Sequence, residues 1–172
     1  NVHSRYLHED IVRLAERFTQ LHGDQIESVV FACSGTEAND VAMSMARIVT
    51  GGSGFICTNA AYHGNSEQVM QLTHVSTDQT ANPNVRSIPF PESFRSIADG
   101  DEDECCAAYV AKVEEALSDF QNEGIKVAGL LMCSLMANEG LPDIPTGFMA
   151  RAADLVRAAG GVVIADEVQS GY

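Results

Sequence analysis

The sequence predicts an α/β fold, a mostly parallel sheet with helices on both faces, and three observations carry that prediction. Short runs of β-branched and small apolar residues alternate with segments whose apolar residues recur three and four positions apart. The runs at 127–133 and 161–165 hold no charged residue, the pattern of strands covered on both sides. Polar, glycine-containing turns follow several runs, where open α/β sheets present their ligand crevice.

Taken in order, Ile11, Val12, Leu14, Ala15, Phe18 and Leu21 have helical spacing, with Gly23 as the stop. Residues 28–33, Ser-Val-Val-Phe-Ala-Cys, read as a strand. Ser34-Gly35-Thr36-Glu37 leads into a helix over about 37–48 that is expected to bury Val41, Ala42, Met45 and Ile48. Residues 55–58 form the next strand, 61–65 a polar turn, and 66–72 a short helix. Pro83, Pro89 and Pro91 make 74–91 a loop with one strand at 85–88. Residues 107–120 are helical, with Tyr109, Val110, Val113, Ala116 and Leu117 inward. A buried strand at 127–133, a turn at 142–147 and a helix at 148–159 follow, closed by Gly160-Gly161. The last strand ends at Asp166 and is expected to be buried on both faces. No internal repeat or composition shift marks a boundary, so residues 1–172 read as one domain.

Composition narrows the function classes. The 172 residues are 45% hydrophobic and 20% charged, as in ordinary globular proteins. No apolar run is long enough to span a bilayer. The formal net charge of −14 argues against nucleic acid and anionic membranes as partners. The acidic run Asp99 to Glu104 reads as a solvated loop entering a helix N-terminus; it lacks the spacing of an EF-hand. The chain starts without Met and without a signal peptide, which suggests a beginning in mid-protein. The five cysteines are odd in number and contain no CxxC pair. We read from them a reducing, cytoplasmic location, no disulfide frame, no zinc and no other metal site.

Three pieces point to chemistry. Ser34-Gly35-Thr36-Glu37-Ala38-Asn39 sits where a strand is expected to become a helix. Its glycine admits a close ligand, and helix-start amides favour an anion; the same residues also read as a capping box of Ser34 and Glu37. Tyr62-His63-Gly64 follows the next strand, so an aromatic stands beside the anion site, although a lone Tyr in a turn also reads as plain surface. Nothing in its spacing assigns His63 a role. Asp166 ends a strand, a place shared by metal ligands, ribose binders and loop caps. Together the three describe a site for a flat, phosphorylated ligand with a cationic ring atom. Pyridoxal phosphate (PLP) fits, since a carboxylate beside its pyridinium keeps that nitrogen protonated.

Ser-Gly-Thr-Glu-Ala-Asn-Asp (34–40), Ala-Tyr-His-Gly (61–64) and Ile-Ala-Asp-Glu-Val-Gln-Ser-Gly (164–171) resemble class III PLP-dependent aminotransferases, in the same order and at compatible spacing. The resemblance spans the chain and implies the large cofactor-binding domain of that fold, incomplete here. It implies that Gly35 and Thr36 bind the phosphate, Tyr62 stacks on the ring, and Asp166 pairs with its nitrogen. It further implies that Val168 packs on the other face and Gln169 reaches the phenolic oxygen, while Glu167 is structural. The segment Ser4 to Glu9 looks like that of a subgroup holding alanine–glyoxylate-type aminotransferases and phospho-lyases acting on amino-alcohol phosphates.

Two departures accompany the resemblance. The family's Schiff-base lysine lies beyond the Asp-Glu-Val-Gln motif, and Lys112 and Lys126 both precede that motif. The expectation is a partial large domain of a longer, homodimeric enzyme, its lysine and small domain encoded outside residues 1–172, so that the fragment itself carries no catalytic residue. Cys133 stands where many members carry Glu, and it reads as a packed thiol. The leading function is a transaminase moving an amino group between an amine or amino acid and a keto acid or aldehyde. The alternatives are a phospho-lyase with the same cofactor and a non-catalytic nucleotide-binding α/β module. Against the last, no GxGxxG follows the first strand.

Overall fold

Four parallel strands in the order β2-β1-β3-β4 carry the architecture. A computed structural model describes residues 6–23, 26–74 and 82–171. Of the segment 4–9, residues 4 and 5 lie outside the described residues, as does Tyr172. The chain divides into two units, residues 1–33 and 34–172.

In the first unit, helix α1 spans Glu9–Leu21, where apolar spacing places it. His8 caps it through Nδ1, which accepts the Asp10 amide at 3.3 Å, and an Arg13–Glu9 pair at 2.6 Å braces the first turns. No residue of α1 is buried. The expected strand at 28–33 does not form, and Val30 and Phe31 are exposed. No described strand pairs with it, and an apolar run becomes a strand only when a ladder satisfies its backbone.

The second unit holds the sheet. Helix α2 (Gly35–Thr50) starts two residues earlier than expected, because Ser34 accepts the Glu37 amide at 3.2 Å and caps it there. Its buried stripe is Asn39, Met43, Ala46 and Thr50, not the expected Val41, Ala42, Met45 and Ile48; Ile48 is 81% exposed. The helix is rotated from the purely apolar choice because Asn39 and Thr50 are satisfied inside. Thr50 donates to the Ala46 carbonyl, and Asn39 donates to two buried acceptors described below.

Strand β1 (Gly54–Thr58) is fully buried, and β2 (Val85–Ile88) forms where expected. Between them a short 3-10 helix, Val69–Leu72, replaces the helix read over 66–72. Helix α3 (Glu102–Asn122) begins five residues before the sequence reading. Its start is the acidic run itself, closed by a capping box of Asp101 and Glu104. Strand β3 (Val127–Cys133) lies at the sheet centre, and α4 (Phe148–Ala158) returns the chain to β4 (Val162–Asp166).

Helices cover both faces. On one, Tyr109, Val113 and Phe120 of α3 and Phe148, Ala152 and Val156 of α4 pack on Ile56, Leu130 and Met132. On the other, Met43 and Ala46 of α2 pack with Val69 and Leu72 on Phe55, Cys57 and Leu131. The strand residues split between the faces by the period-2 rule. Among the described residues β4 pairs with β3 alone; Val163 is 36% exposed and only Asp166 in it is buried, short of the burial expected on both faces.

Candidate active site

From β1 the chain crosses first to β2 on one side, and then to β3 on the other. The carboxyl ends of β1 and β3 therefore flank a topological switch point, where a crevice opens. A pocket of about 200 Å³ occupies it, lined by Gly35, Thr36, Tyr62, His63, Gly64, Cys133, Asn138, Asp166, Val168 and Gln169. All six cofactor-binding residues expected from the sequence, Gly35, Thr36, Tyr62, Asp166, Val168 and Gln169, lie around it.

Each arrives by a separate element. The start of α2 brings Gly35 and Thr36, whose amides fall in the first turn where helix geometry offers no intrahelical acceptor. The loop after β1 brings Tyr62 and His63; the Tyr62 hydroxyl accepts the Asn65 amide at 2.9 Å. The end of β4 brings Asp166, and the turn beyond it brings Val168 and Gln169. Val168 is fixed against Gly35: a Cβ there would stand 2.5 Å from Val168 Cγ2. Gln169 donates to Asn138 Oδ1 at 3.4 Å. Glu167 is not among the lining residues; its carboxylate accepts from the Ser134 and Ser170 hydroxyls.

Asp166 is only 6% exposed, yet well satisfied. Its Oδ2 accepts from Asn39 Nδ2 at 2.9 Å and His63 Nδ1 at 2.7 Å; its Oδ1 accepts the Val168 amide at 3.1 Å. Burial pushes the carboxyl up, but the bonds from His63, Asn39 and Val168 outweigh it and hold the group below the usual range. The group is thus ionised and held by neighbours before any ligand arrives. A carboxylate kept charged in a pocket suits a cationic atom, and helix-start amides in the same pocket suit an anion. The residues present fit PLP.

The depressed carboxyl also predicts an acid response. Stability contributed by Asp166 is fully present above its ordinary value of 3.8 and is lost as pH falls through the lower folded value. Urea unfolding of wild type and Asp166→Asn should therefore differ by a constant amount at neutral pH, and by less as the pH drops below 3.8.

Two partners escaped the sequence reading. His63, given no role there, is 2% exposed and bonded to Asp166, while its Nε2 is buried without a hydrogen-bond partner. Asn39, read only as part of a motif, bridges Asp166 and the His63 carbonyl at 2.9 Å each. The one available signal was an Asn within the glycine motif at the first turns of a helix whose face packs on the sheet.

Behind them, burial and the neighbouring His63 hold His74 below the usual imidazole range. Cys133 is half-buried beside Asp166, its register partner on β4. Burial and then the Asp166, Glu139 and Glu167 carboxylates push its thiol up to about 12, so it stays protonated and is a poor nucleophile.

Comparison with known proteins bears on the whole chain. The model of the class-III aminotransferase family matches residues 2–172. An alanine–glyoxylate aminotransferase 2-like protein of Drosophila melanogaster is 32% identical over 100% of the chain and 36% of its own length. The human mitochondrial alanine–glyoxylate aminotransferase 2 is 30% identical over 97% of the chain and 36% of its length. Among solved structures, an Arthrobacter phospholyase in complex with phosphoethanolamine superposes with a TM-score of 0.89 at 34% identity, over 99% of the chain and 40% of that structure. A PLP-bound amine transaminase from an uncultivated Pseudomonas species shares the fold, with a TM-score of 0.81 at 22% identity. The chain thus spans about 36–40% of the length of these relatives. With its motifs gathered in one crevice and the family model matched nearly end to end, the chain belongs to the class-III aminotransferases.

Proposed function

We propose that the full-length protein is a PLP-dependent transaminase, moving an amino group from an amine or amino acid to a keto acid or aldehyde. One observation carries the reading: an ionised, buried carboxylate and the start of a helix face the same pocket. When bound, PLP supplies an electron sink for the bond broken at the substrate α-carbon.

The chain's residues do the rest. The Gly35 and Thr36 amides bind the phosphate at the positive end of α2. Asp166 keeps the ring nitrogen protonated, and His63 and Asn39 keep Asp166 charged and aimed. With PLP bound, Tyr62 and Val168 would hold the ring between them, and Gln169 would donate to its phenolic oxygen. Lys112 pairs with Glu115 at 2.6 Å on the solvent side of α3, and Lys126 precedes β3 at the end of the sheet away from Cys133. This reading places the proton-transferring lysine outside both positions, elsewhere in the full-length protein.

Purified full-length protein should take up PLP with a visible absorption band, which an amino donor bleaches and a keto acid restores. No band with PLP present would sink the reading. Sequence similarity to the phospholyase at 34% identity supports a second reading, elimination from a phosphorylated amino alcohol. Release of inorganic phosphate from phosphoethanolamine without a keto-acid acceptor would select it. An odd number of cysteines with no CxxC pair supports a reducing compartment, in our reading the cytoplasm, which immunolocalisation tests. The reading also takes the enzyme as a homodimer, tested by size-exclusion chromatography with light scattering.

A further inference from the structure

The cysteine spacing predicts no metal site, yet the fold assembles a ligand set that spacing cannot show. His63, Cys133 and Asp166 lie 70 and 33 residues apart in sequence, and each offers one donor atom within 4.8 Å of the others. We propose that these three side chains bind a thiophilic divalent cation, zinc or cadmium, in the cofactor-free protein, and that the cation competes with the cofactor for the pocket.

The geometry asks for little movement. Donors on a tetrahedral zinc ion at about 2.0–2.3 Å stand roughly 3.5 Å apart, so each side chain needs to adjust by about 1 Å. Cys133 and Asp166 are register partners on adjacent parallel strands, so their separation is set by the sheet rather than by a loop. All three residues line the pocket, which leaves the remaining coordination position open to water. Thiolate, imidazole and carboxylate together are the donor types zinc accepts, and magnesium or calcium would reject the sulfur and nitrogen.

The local field has the right sign. The Asp166, Glu139 and Glu167 carboxylates all act on Cys133, and none of the ten lining residues is Lys or Arg. The negative charge that disfavours a bare thiolate draws in a cation, which then replaces the thiol proton. The balance is simple: the Cys133 S–H bond breaks, a sulfur–metal bond forms, and one proton leaves to solvent. His63 stays neutral, its ring proton moving from Nδ1 to Nε2 so that Nδ1 offers its lone pair, and Asp166 exchanges its hydrogen bond from Nδ1 for a bond to the metal. No oxidant or reductant is needed.

Competition follows because Asp166 cannot ligate a metal and hold a ring nitrogen at once. That part rests on the PLP reading; the metal site itself does not. The test uses full-length protein stripped of cofactor and titrated with Co²⁺ as a spectroscopic probe. One equivalent should bind, with tetrahedral d–d bands and a near-ultraviolet thiolate-to-cobalt charge-transfer band. Zinc and cadmium should displace the cobalt. Cys133→Ser and Cys133→Ala, checked for native circular dichroism, should lose the charge-transfer band; losing an outer-shell partner alone costs about 10–100-fold in metal affinity, so affinity should fall by at least that. No stoichiometric binding, or a charge-transfer band that survives in both variants, overturns the site. Protein first loaded with PLP should retain no cobalt after gel filtration. If it retains one equivalent with the thiolate band intact, the metal site stands, and both the competition and the pairing of Asp166 with the PLP ring fall.

Discussion

Asp166→Asn should leave the full-length protein folded at neutral pH and lower its kcat/KM by roughly two to three and a half orders of magnitude. The estimate follows from removing one partner of a buried charge pair, about 3–5 kcal/mol, at about 1.4 kcal/mol per tenfold. The mechanism is specific. Two side-chain donors, Asn39 Nδ2 and His63 Nδ1, converge on Asp166 Oδ2, and the Val168 amide reaches Oδ1. An Asn in that place has one acceptor oxygen for three donors, so its NH₂ must face at least one of them. Nor does it offer the charge that keeps a ring nitrogen protonated. Cofactor affinity should weaken and the chemical step should slow together, because both depend on that proton. A variant with kcat/KM within about fivefold of wild type, a difference of only about 1 kcal/mol, would refute the pairing of Asp166 with the ring.

His63→Phe separates holding from touching. It keeps an aromatic ring in a buried position and removes the bond at 2.7 Å, while Asn39 and Val168 still hold the carboxylate. The expected loss is about tenfold, one charged hydrogen bond, and smaller than that of Asp166→Asn. It should come with a shift in the pH at which the bound cofactor changes colour, a readout that simple loss of packing would not move.

The parts of this molecule that are legible in its sequence share one property: they depend on neighbours in the chain. β3 was readable because seven residues without charge admit few alternatives to a buried strand. The ends of α3 were off because its first turn is acidic, and charge there reads as loop until the Asp101–Glu104 box is seen to close it. The pocket residues were readable because the glycine turn, the aromatic turn and the strand-end acid each carry their own local signal. What failed depended on distant partners. Asn39 looks like a surface residue of an amphipathic helix until Asp166, 127 positions later, is placed beside it. The same contact turned the buried face of α2 away from Met45 and Ile48. The run at 28–33 has strand composition, but no described strand meets it, and sequence pattern contains no partner list. The His63–Cys133–Asp166 cluster was hidden for the same reason: the register Cys133↔Asp166 is a property of the sheet.

Gly64→Ala is the second change expected to act strongly, and it tests whether packing builds the end of the pocket where we propose that the PLP phosphate binds. Gly64 has φ +139°, a conformation that L side chains rarely adopt. A Cβ there would meet Thr36 Oγ1 at 2.6 Å, Val69 Cγ1 at 2.8 Å and Thr36 Cα at 3.0 Å. The Thr36 side chain can rotate away, but its Cα is backbone at the start of α2, so relief must shift the helix start or the turn. Strained backbone costs about 1–3 kcal/mol and overpacking about 1–3 kcal/mol more. The damage falls where the Gly35 and Thr36 amides would meet the phosphate, so PLP affinity should drop at least about tenfold, the equivalent of 1.4 kcal/mol, alongside a lower Tm. Gly160→Ala is the matched control. Its φ is +85°, but a Cβ there meets nothing within 4 Å, so it carries the strain without the collision. It should lower Tm and leave PLP affinity unchanged. Equal losses of affinity in the two variants would mean that general destabilisation, not displacement of Thr36, weakens binding, and that the turn at Gly64 does not shape the phosphate site.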